Sequence, residues 1–266
     1  AEAGAAIVLD VRNGEVIALA SYPSYDPEYF LGGRISSDKW QIINSRSSNY
    51  PLRNRAIMSS YPPGSTFKPI IGLGALAEGI TTPTKGYIDT GRWYGLGQKW
   101  AKNCWKKGGH GKLNFNRGVV VSCDTVFYEI GYKFYKKGGE KLQLWARNFG
   151  LGSETGINLP FEVSGRVPDK AWKKEWNKNN PRNQTWVPGD TVNMAIGQGD
   201  LLTTPLQLVN AYAAIANGGT LFKPKIAKSV LSFEGQVSYQ FKPEEIKKLP
   251  LISATLKVMQ EDLWKV

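Results

Sequence analysis

The residue that most limits how this chain can fold is a lysine. Lys68 stands in the run Phe67-Lys68-Pro69-Ile70-Ile71, and nothing else charged follows before Glu78. Pro62-Pro63-Gly64 precedes the run and Gly79 follows it. A Pro/Gly entry and a Gly exit predict a helix from Ser65 to about Ala77. It is apolar nearly all round, so it belongs in the middle of a domain. A lysine there is expensive unless it has a partner or a task. Ser65 lies three residues earlier, which puts both side chains on one helix face, one turn apart. A serine hydroxyl is a poor nucleophile until a neighbour takes its proton, and a lysine whose pKa is lowered by burial can do that. The helix N-terminus adds positive potential and free N–H groups for an oxyanion. Ser-x-x-Lys also describes a capping serine beside a solvated lysine. The apolar setting of Lys68 favours the chemical reading.

Two further groups carry chemistry. Ser122-Cys123-Asp124 lies between two helical patterns, and by itself it reads as the N-cap of the run from Thr125. The chain has two cysteines and one histidine, and all three fall in one window, Cys104, His110 and Cys123. Thiolate and imidazole are ligands that zinc prefers, and a structural site needs four. A Cys104–Cys123 disulfide and two unrelated buried thiols are the competing readings.

The chain has 266 residues, 41% of them hydrophobic, enough for one large core or two small ones. Residues 6–21 read as a β-hairpin turning at Asn13-Gly14 in a two-residue type I′ turn. Both strands are apolar enough to be covered on both faces. Residues 22–55, 81–112 and 152–200 read mainly as ordered loops. Helices are expected near 114–121, 125–137, 139–149 and 204–217, a strand near 220–227, and a helix over 251–266. No apolar run approaches the roughly 18 residues of a membrane span. The start Ala-Glu-Ala has no Met and no signal-like segment, which suggests a piece of a longer protein.

Lys and Arg number 34 against 22 Asp and Glu, a net charge of +12. Charge of this kind speaks to partners such as an anionic membrane surface or an anionic polymer, and not to fold. The one basic stretch, Lys170 to Lys178 with Trp172 and Trp176, reads as a surface helix or loop anchored by its indoles. No nucleic-acid motif stands near it, so no nucleic-acid partner is expected.

Ser-x-x-Lys followed about 55 residues later by Ser-x-Asp matches the layout of penicillin-recognising serine acyl transferases. Tyr61-Pro-Pro-Gly-Ser-Thr-Phe-Lys-Pro69 resembles the nucleophile motif of class B penicillin-binding proteins. The opening hairpin with Ser21-Tyr-Pro-Ser-Tyr-Asp-Pro27, and Gly197-Gln-Gly199 with Thr204-Pro-Leu-Gln207, are similar to other shared segments. Within that class, Ser-x-Asp and the 105–111 stretch Trp-Lys-Lys-Gly-Gly-His-Gly resemble the elongation-specific penicillin-binding protein 2 subfamily. The resemblance implies one transpeptidase domain over residues 1–266 with an α/β (α+β) fold, an antiparallel sheet flanked by helices. It implies Ser65 as the acylated nucleophile, Lys68 as its general base, Ser122 as a proton relay and Asp124 as the holder of the network. The implied substrate is a peptidoglycan stem peptide ending in D-Ala-D-Ala, and β-lactam antibiotics would acylate Ser65. A β-lactam sensor, a class D-like hydrolase and a non-catalytic cell-wall scaffold are the competing readings.

Some relatives carry a zinc site whose ligand positions match Asp89, Cys104, His110 and Cys123. Such a zinc would be structural, since four protein ligands leave no open position for water. The family's third motif, Lys-[Ser/Thr]-Gly, has no match here. In relatives it lies beyond the last helix, so the chain is expected to stop short of it, without several sheet strands, and to be poorly active by itself. The implied setting is the periplasmic face of the bacterial inner membrane, with an elongation-complex glycosyltransferase and shape proteins as partners.

Overall fold

The computed structural model describes residues 2–266. β1 (Gly4–Leu9) and β2 (Val16–Tyr22) pair antiparallel, from Gly4↔Tyr22 to Leu9↔Val16. The connection is wider than a two-residue turn. A type I′ turn needs positive φ at both central residues, but of Asn13 and Gly14 only Gly14 is left-handed, at 76°. Asp10 wins the competition for the local backbone. Its N–H donates to Glu15 O (2.8 Å), its carbonyl accepts from Gly14 N–H (2.9 Å), and its carboxylate takes the Arg12 N–H and guanidinium. Only one face of the hairpin is covered, contrary to expectation. Ile7, Leu9, Val16 and Leu19 pack with Ile57 and Leu206, while Val8 and Ile17 stand 51% and 67% exposed.

The segment after the hairpin is not all loop. It holds α1 (Ser37–Ile43), capped by Ser36 through Lys39 N–H. A 3-10 turn, Gly64–Phe67, then runs straight into α2 (Lys68–Ala77), whose residues Lys68 to Ala75 are all buried. Gly79 at φ 66° ends it.

Residues 81–112 carry two small antiparallel pairs. β3 (Gly86–Asp89) pairs with β6 (Gly111–Asn114), and β4 (Arg92–Trp93) with β5 (Lys102–Asn103). The helices α3 (Phe115–Val120), α4 (Asp124–Lys137) and α5 (Lys141–Asn148) follow as expected. Residues 152–200 contain α6 (Lys170–Trp176) and α7 (Pro188–Met194), too short for their periodicity to stand out. On α6, Trp172 and Trp176 stack on each other and Arg166 lies over both rings, so an arginine does the anchoring. α8 (Pro205–Ala216) starts in a capping box between Thr204 and Gln207.

The strand expected over 220–227 is only β7 (Thr220–Phe222). A hairpin of β8 (Ser229–Leu231) and β9 (Val237–Gln240) and a strand β10 (Glu245–Lys248) paired to β7 were not foreseen. α9 (Ser253–Leu263) closes the chain. The strands thus form antiparallel two-stranded pairs among helices rather than one continuous sheet among the described residues.

α2 is the axis of the main core. Phe67, Ile70, Ile71 and Leu73 join Phe115, Phe127, Ile130, Phe134, Trp145 and Met259. Each such side chain contributes about 1.5–3 kcal/mol on burial. A buried helix among four others fixes its first turn in space, and that turn carries Ser65 and Lys68.

Candidate active site

Ser65 sits in the 3-10 turn and is exposed; Lys68 begins α2 and is 2% exposed. Three attachments hold the turn. Gly64 N–H donates to Gly197 O (2.9 Å). Tyr61 and Thr203 exchange two backbone bonds, each 2.9 Å. The Tyr212 hydroxyl donates to Thr66 O at 2.8 Å. Gly197 has no room for anything larger: a Cβ there would lie 2.0 Å from Gly64 O.

The Lys68 Nζ donates to Ser122 O (2.8 Å), Ser122 Oγ (3.1 Å) and Asp124 Oδ1 (2.6 Å). Its three protons thus have three acceptors, and it lies 5.6 Å from the centre of the Phe127 ring. This answers how so buried a lysine is tolerated. Asp124 stands at the start of α4, where a negative charge meets the positive helix end, and its Oδ2 accepts the Trp105 N–H at 2.9 Å. Ser122 holds the left-handed φ of 51°, which turns both its carbonyl and its hydroxyl to Lys68. The N-cap reading of 122–124 does not hold. The cap residue is Cys123, with no side-chain cap bond, and Ser122 and Asp124 both face Lys68. Among the described residues no group hydrogen-bonds the Ser65 hydroxyl; Ser65 and Lys68 are joined through the backbone, Lys68 N–H to Ser65 O, and not through their side chains.

The structure also gathers Asp89, Cys104, His110 and Cys123, whose ligand atoms all lie within 4.8 Å of one another. Asp89 Oδ2 is 2.7 Å from His110 Nδ1 and 3.3 Å from Cys123 Sγ; Cys104 Sγ is 3.6 Å from His110 Nδ1. The other oxygen, Oδ1, accepts from the Thr125 hydroxyl (2.7 Å) and Gly91 N–H (2.9 Å), which fixes the carboxylate with Oδ2 inward. Burial alone would raise the Asp89 carboxyl pKa, but the bonds from Thr125, His110 and Gly91 outweigh it and hold the group well below the usual carboxylate range. Burial pushes the Cys123 thiol up. Both cysteines are free thiols, not a disulfide. His110 Nε2 is buried without a partner. Two thiols, an imidazole and a carboxylate are a donor set that fits zinc in a closed four-ligand site.

Sequence reasoning missed three contributors. Trp105 clamps the 121–124 segment, with its backbone N–H on Asp124 and its indole N–H on Val121 O and Ser122 O. Thr125 holds Asp89, and Tyr212 reaches the nucleophile turn across 146 residues of sequence. None has a short-range signal; each is a contact that only the fold creates.

The family profile described as the penicillin binding protein transpeptidase domain matches residues 4–266. The chain belongs to that family. It is 38% identical over 235 residues to the peptidoglycan D,D-transpeptidase MrdA of Escherichia coli K12, covering 88% of this chain and 36% of that protein. The chain thus spans about a third of the length of this curated relative. The penicillin-binding protein PBP2 of Helicobacter pylori, solved in complex with MreC, superposes with a TM-score of 0.81 at 35% identity, covering 98% of this chain and 44% of that one. Penicillin-binding protein A of Mycobacterium tuberculosis, solved as a ceftriaxone acyl-enzyme complex, gives 0.79 at 26% identity, with 98% and 55% covered. Its membership bears out the α/β transpeptidase fold and the subfamily resemblance.

Proposed function

We propose that this chain is the transpeptidase domain of an elongation-type penicillin-binding protein that cross-links peptidoglycan stem peptides through an acyl-enzyme on Ser65. The observation that carries the reading is the convergence of Lys68, Ser122 and Asp124 one turn from Ser65. Lys68 is the general base that takes the Ser65 proton as Oγ attacks the carbonyl of the penultimate D-Ala. Asp124, 2.6 Å from Lys68 Nζ, stabilises the ammonium that forms. Ser122 Oγ, 3.1 Å from Nζ, passes the proton to the departing D-Ala amine. An amine of a second stem peptide then takes the acyl group. β-Lactams stop after the first half.

A zinc ion held by Asp89, Cys104, His110 and Cys123 fits the donor set and supplies structure rather than a reacting water. Those residues tie the 89–110 loop to the segment that bears Ser122 and Asp124. The peptidoglycan D,D-transpeptidase relatives and the PBP2–MreC complex support cell-wall synthesis with a shape protein of the MreC kind as a partner; a setting at the periplasmic side of the inner membrane, with a glycosyltransferase as a second partner, belongs to the same proposal.

The test is intact-protein mass spectrometry with benzylpenicillin. The expected result is an increase of one drug mass that persists, and its absence in Ser65→Ala. An adduct that is quickly shed favours a hydrolase. No adduct on protein extended to include a third motif overturns the transpeptidase reading.

A further inference from the structure

At the end of α4 opposite Ser122, about 20 Å away along the helix, the chain turns into α5 around a cavity of about 300 Å3. It turns through Gly138, Gly139 and Glu140, whose φ values of 74°, 64° and 50° are all left-handed. Glu140 makes no side-chain cap bond. Its carboxylate instead accepts the N–H of Lys170, like Glu140 a residue of the cavity wall, at 2.9 Å. The first backbone bond of α5 runs from Leu144 N–H to Glu140 O (2.9 Å), so the N–H groups of Lys141, Leu142 and Gln143 lie ahead of it at the positive helix end.

A second feature points to a ligand. Gln143 is 2% exposed and lines the cavity, and its amide has no hydrogen-bond partner among the described residues. With no partner from the protein, the amide is left to bond to whatever fills the cavity. Lys136 and Lys170 also line the cavity, and the Lys170 ammonium is exposed and unpaired among the described residues. Lys141 is committed to Glu78 at 3.3 Å, and Lys136 rests 4.3 Å from the Tyr132 ring centre. Trp186 forms a wall. Its indole N–H is used by Thr191 Oγ1 (2.8 Å), which pins the ring, and the Lys173 ammonium lies over one face, 5.9 Å from the ring centre. Lys170 and Trp186 continue into an adjoining groove with Lys174 and Gln184.

We propose that this cleft binds an oxyanion, carboxylate or phosphate, carried next to an amide or sugar group that lies on the Trp186 ring. The anion meets the α5 N-terminus, the Gln143 amide and Lys170. The proposed function bears only on where the anion comes from: the free carboxylates of a stem peptide, or the pyrophosphate of a lipid-linked precursor. In either case the cleft is a second, non-reacting grip on cell-wall material, remote from Ser65.

The experiment titrates 15N-labelled Ser65→Ala protein with the tripeptide L-Ala-γ-D-Glu-L-Lys and, separately, with inorganic pyrophosphate. The N–H signals of Gly138, Gly139 and the Gln143 amide, and the Trp186 indole, are followed. The expected result is a saturable shift of these signals with one probe, which identifies the source. Lys170→Glu weakens that binding at least tenfold with Tm unchanged, and in the Ser65 protein it leaves acylation by benzylpenicillin unchanged. Gln143→Leu, if it folds, weakens binding several-fold. Shifts that do not saturate, that spread over all surface lysines, or that survive Lys170→Glu overturn the site. A failed benzylpenicillin reaction with cleft binding intact would instead remove the transpeptidase reading and leave the site standing.

Discussion

The segment Ser122–Thr125 feeds two buried polar clusters, and its residues alternate between them. Ser122 and Asp124 face Lys68, where a carboxylate meets a cation carried by the chain itself at 2.6 Å. Cys123 and Thr125 face Asp89, where a carboxylate meets an imidazole and two thiols, and no lysine or arginine among the described residues pairs with it. The first cluster is complete: every Lys68 proton has an acceptor. The second is rich in electron pairs and short of positive charge. A buried carboxylate kept in its charged form needs a counter-charge. The first cluster therefore reads as chemistry that the polypeptide supplies whole, and the second as a mould for something added.

The largest test removes the built-in cation. Lys68→Ala is expected to slow acylation by benzylpenicillin by about a thousandfold, within the range for loss of a general base. It also leaves Asp124 without its ion partner, at a cost of about 3 kcal/mol. Stopped-time labelling with a fluorescent penicillin and urea melts check the two effects. Acylation within tenfold of the parent would remove Lys68 from the chemistry.

The test of the proposed zinc comes next. Chelator treatment, or Cys123→Ser, is expected to lower the melting temperature by about 10 °C, equivalent to ~3 kcal/mol in a domain of this size. Acylation should slow less than in Lys68→Ala, because Ser122 and Asp124 are loosened rather than lost. Calorimetry with metal analysis reads this. An unchanged melt in metal-free protein would mean that the four side chains satisfy one another.

Asp124 separates charge from geometry. Asp124→Asn keeps an oxygen for the Trp105 N–H and a contact to Lys68, and is expected to slow acylation about fivefold, or ~1 kcal/mol. Asp124→Ala loses both and should cost about a hundredfold, as loss of a charged hydrogen-bond partner does. Equal losses in the two variants would make the charge, rather than the position of an oxygen, the deciding property.

The smallest effect lies outside both clusters. Burial pushes the Tyr212 hydroxyl up to about 12, against about 10 in an unfolded chain. The folded protein holds that proton more tightly, so the contribution is intact below pH about 10 and is lost as pH rises towards 12. Tyr212→Phe is expected to cost ~1 kcal/mol at neutral pH through the lost bond to Thr66 O, and to show a shallower fall in stability above pH 10. Melts across that range decide it.

The Lys68 cluster was largely legible because its cause is local. A lysine in an apolar run demands partners, and Ser-x-Asp downstream offered them. The metal-type cluster was legible for a different reason: so few cysteines and histidines exist in the chain that their shared window was conspicuous. What stayed hidden depended on the path of the backbone. The indole of Trp105 reaches Val121 and Ser122 only because β4 and β5 fold the intervening loop back. The hairpin turn was misread because Asn13-Gly14 is a strong local signal, and the side chain of Asp10 is stronger. The short helices α6 and α7 have two turns each, too few for an apolar stripe to declare itself.

Gly197 has a consequence at the level of the gene. Its backbone touches that of Gly64, beside the serine, with 2.0 Å where a Cβ would go. Every amino-acid change one base away from a glycine codon brings in a Cβ. No single missense step is open at this codon without displacing the turn that presents Ser65. A lineage selected to blunt an attack on that serine must change elsewhere.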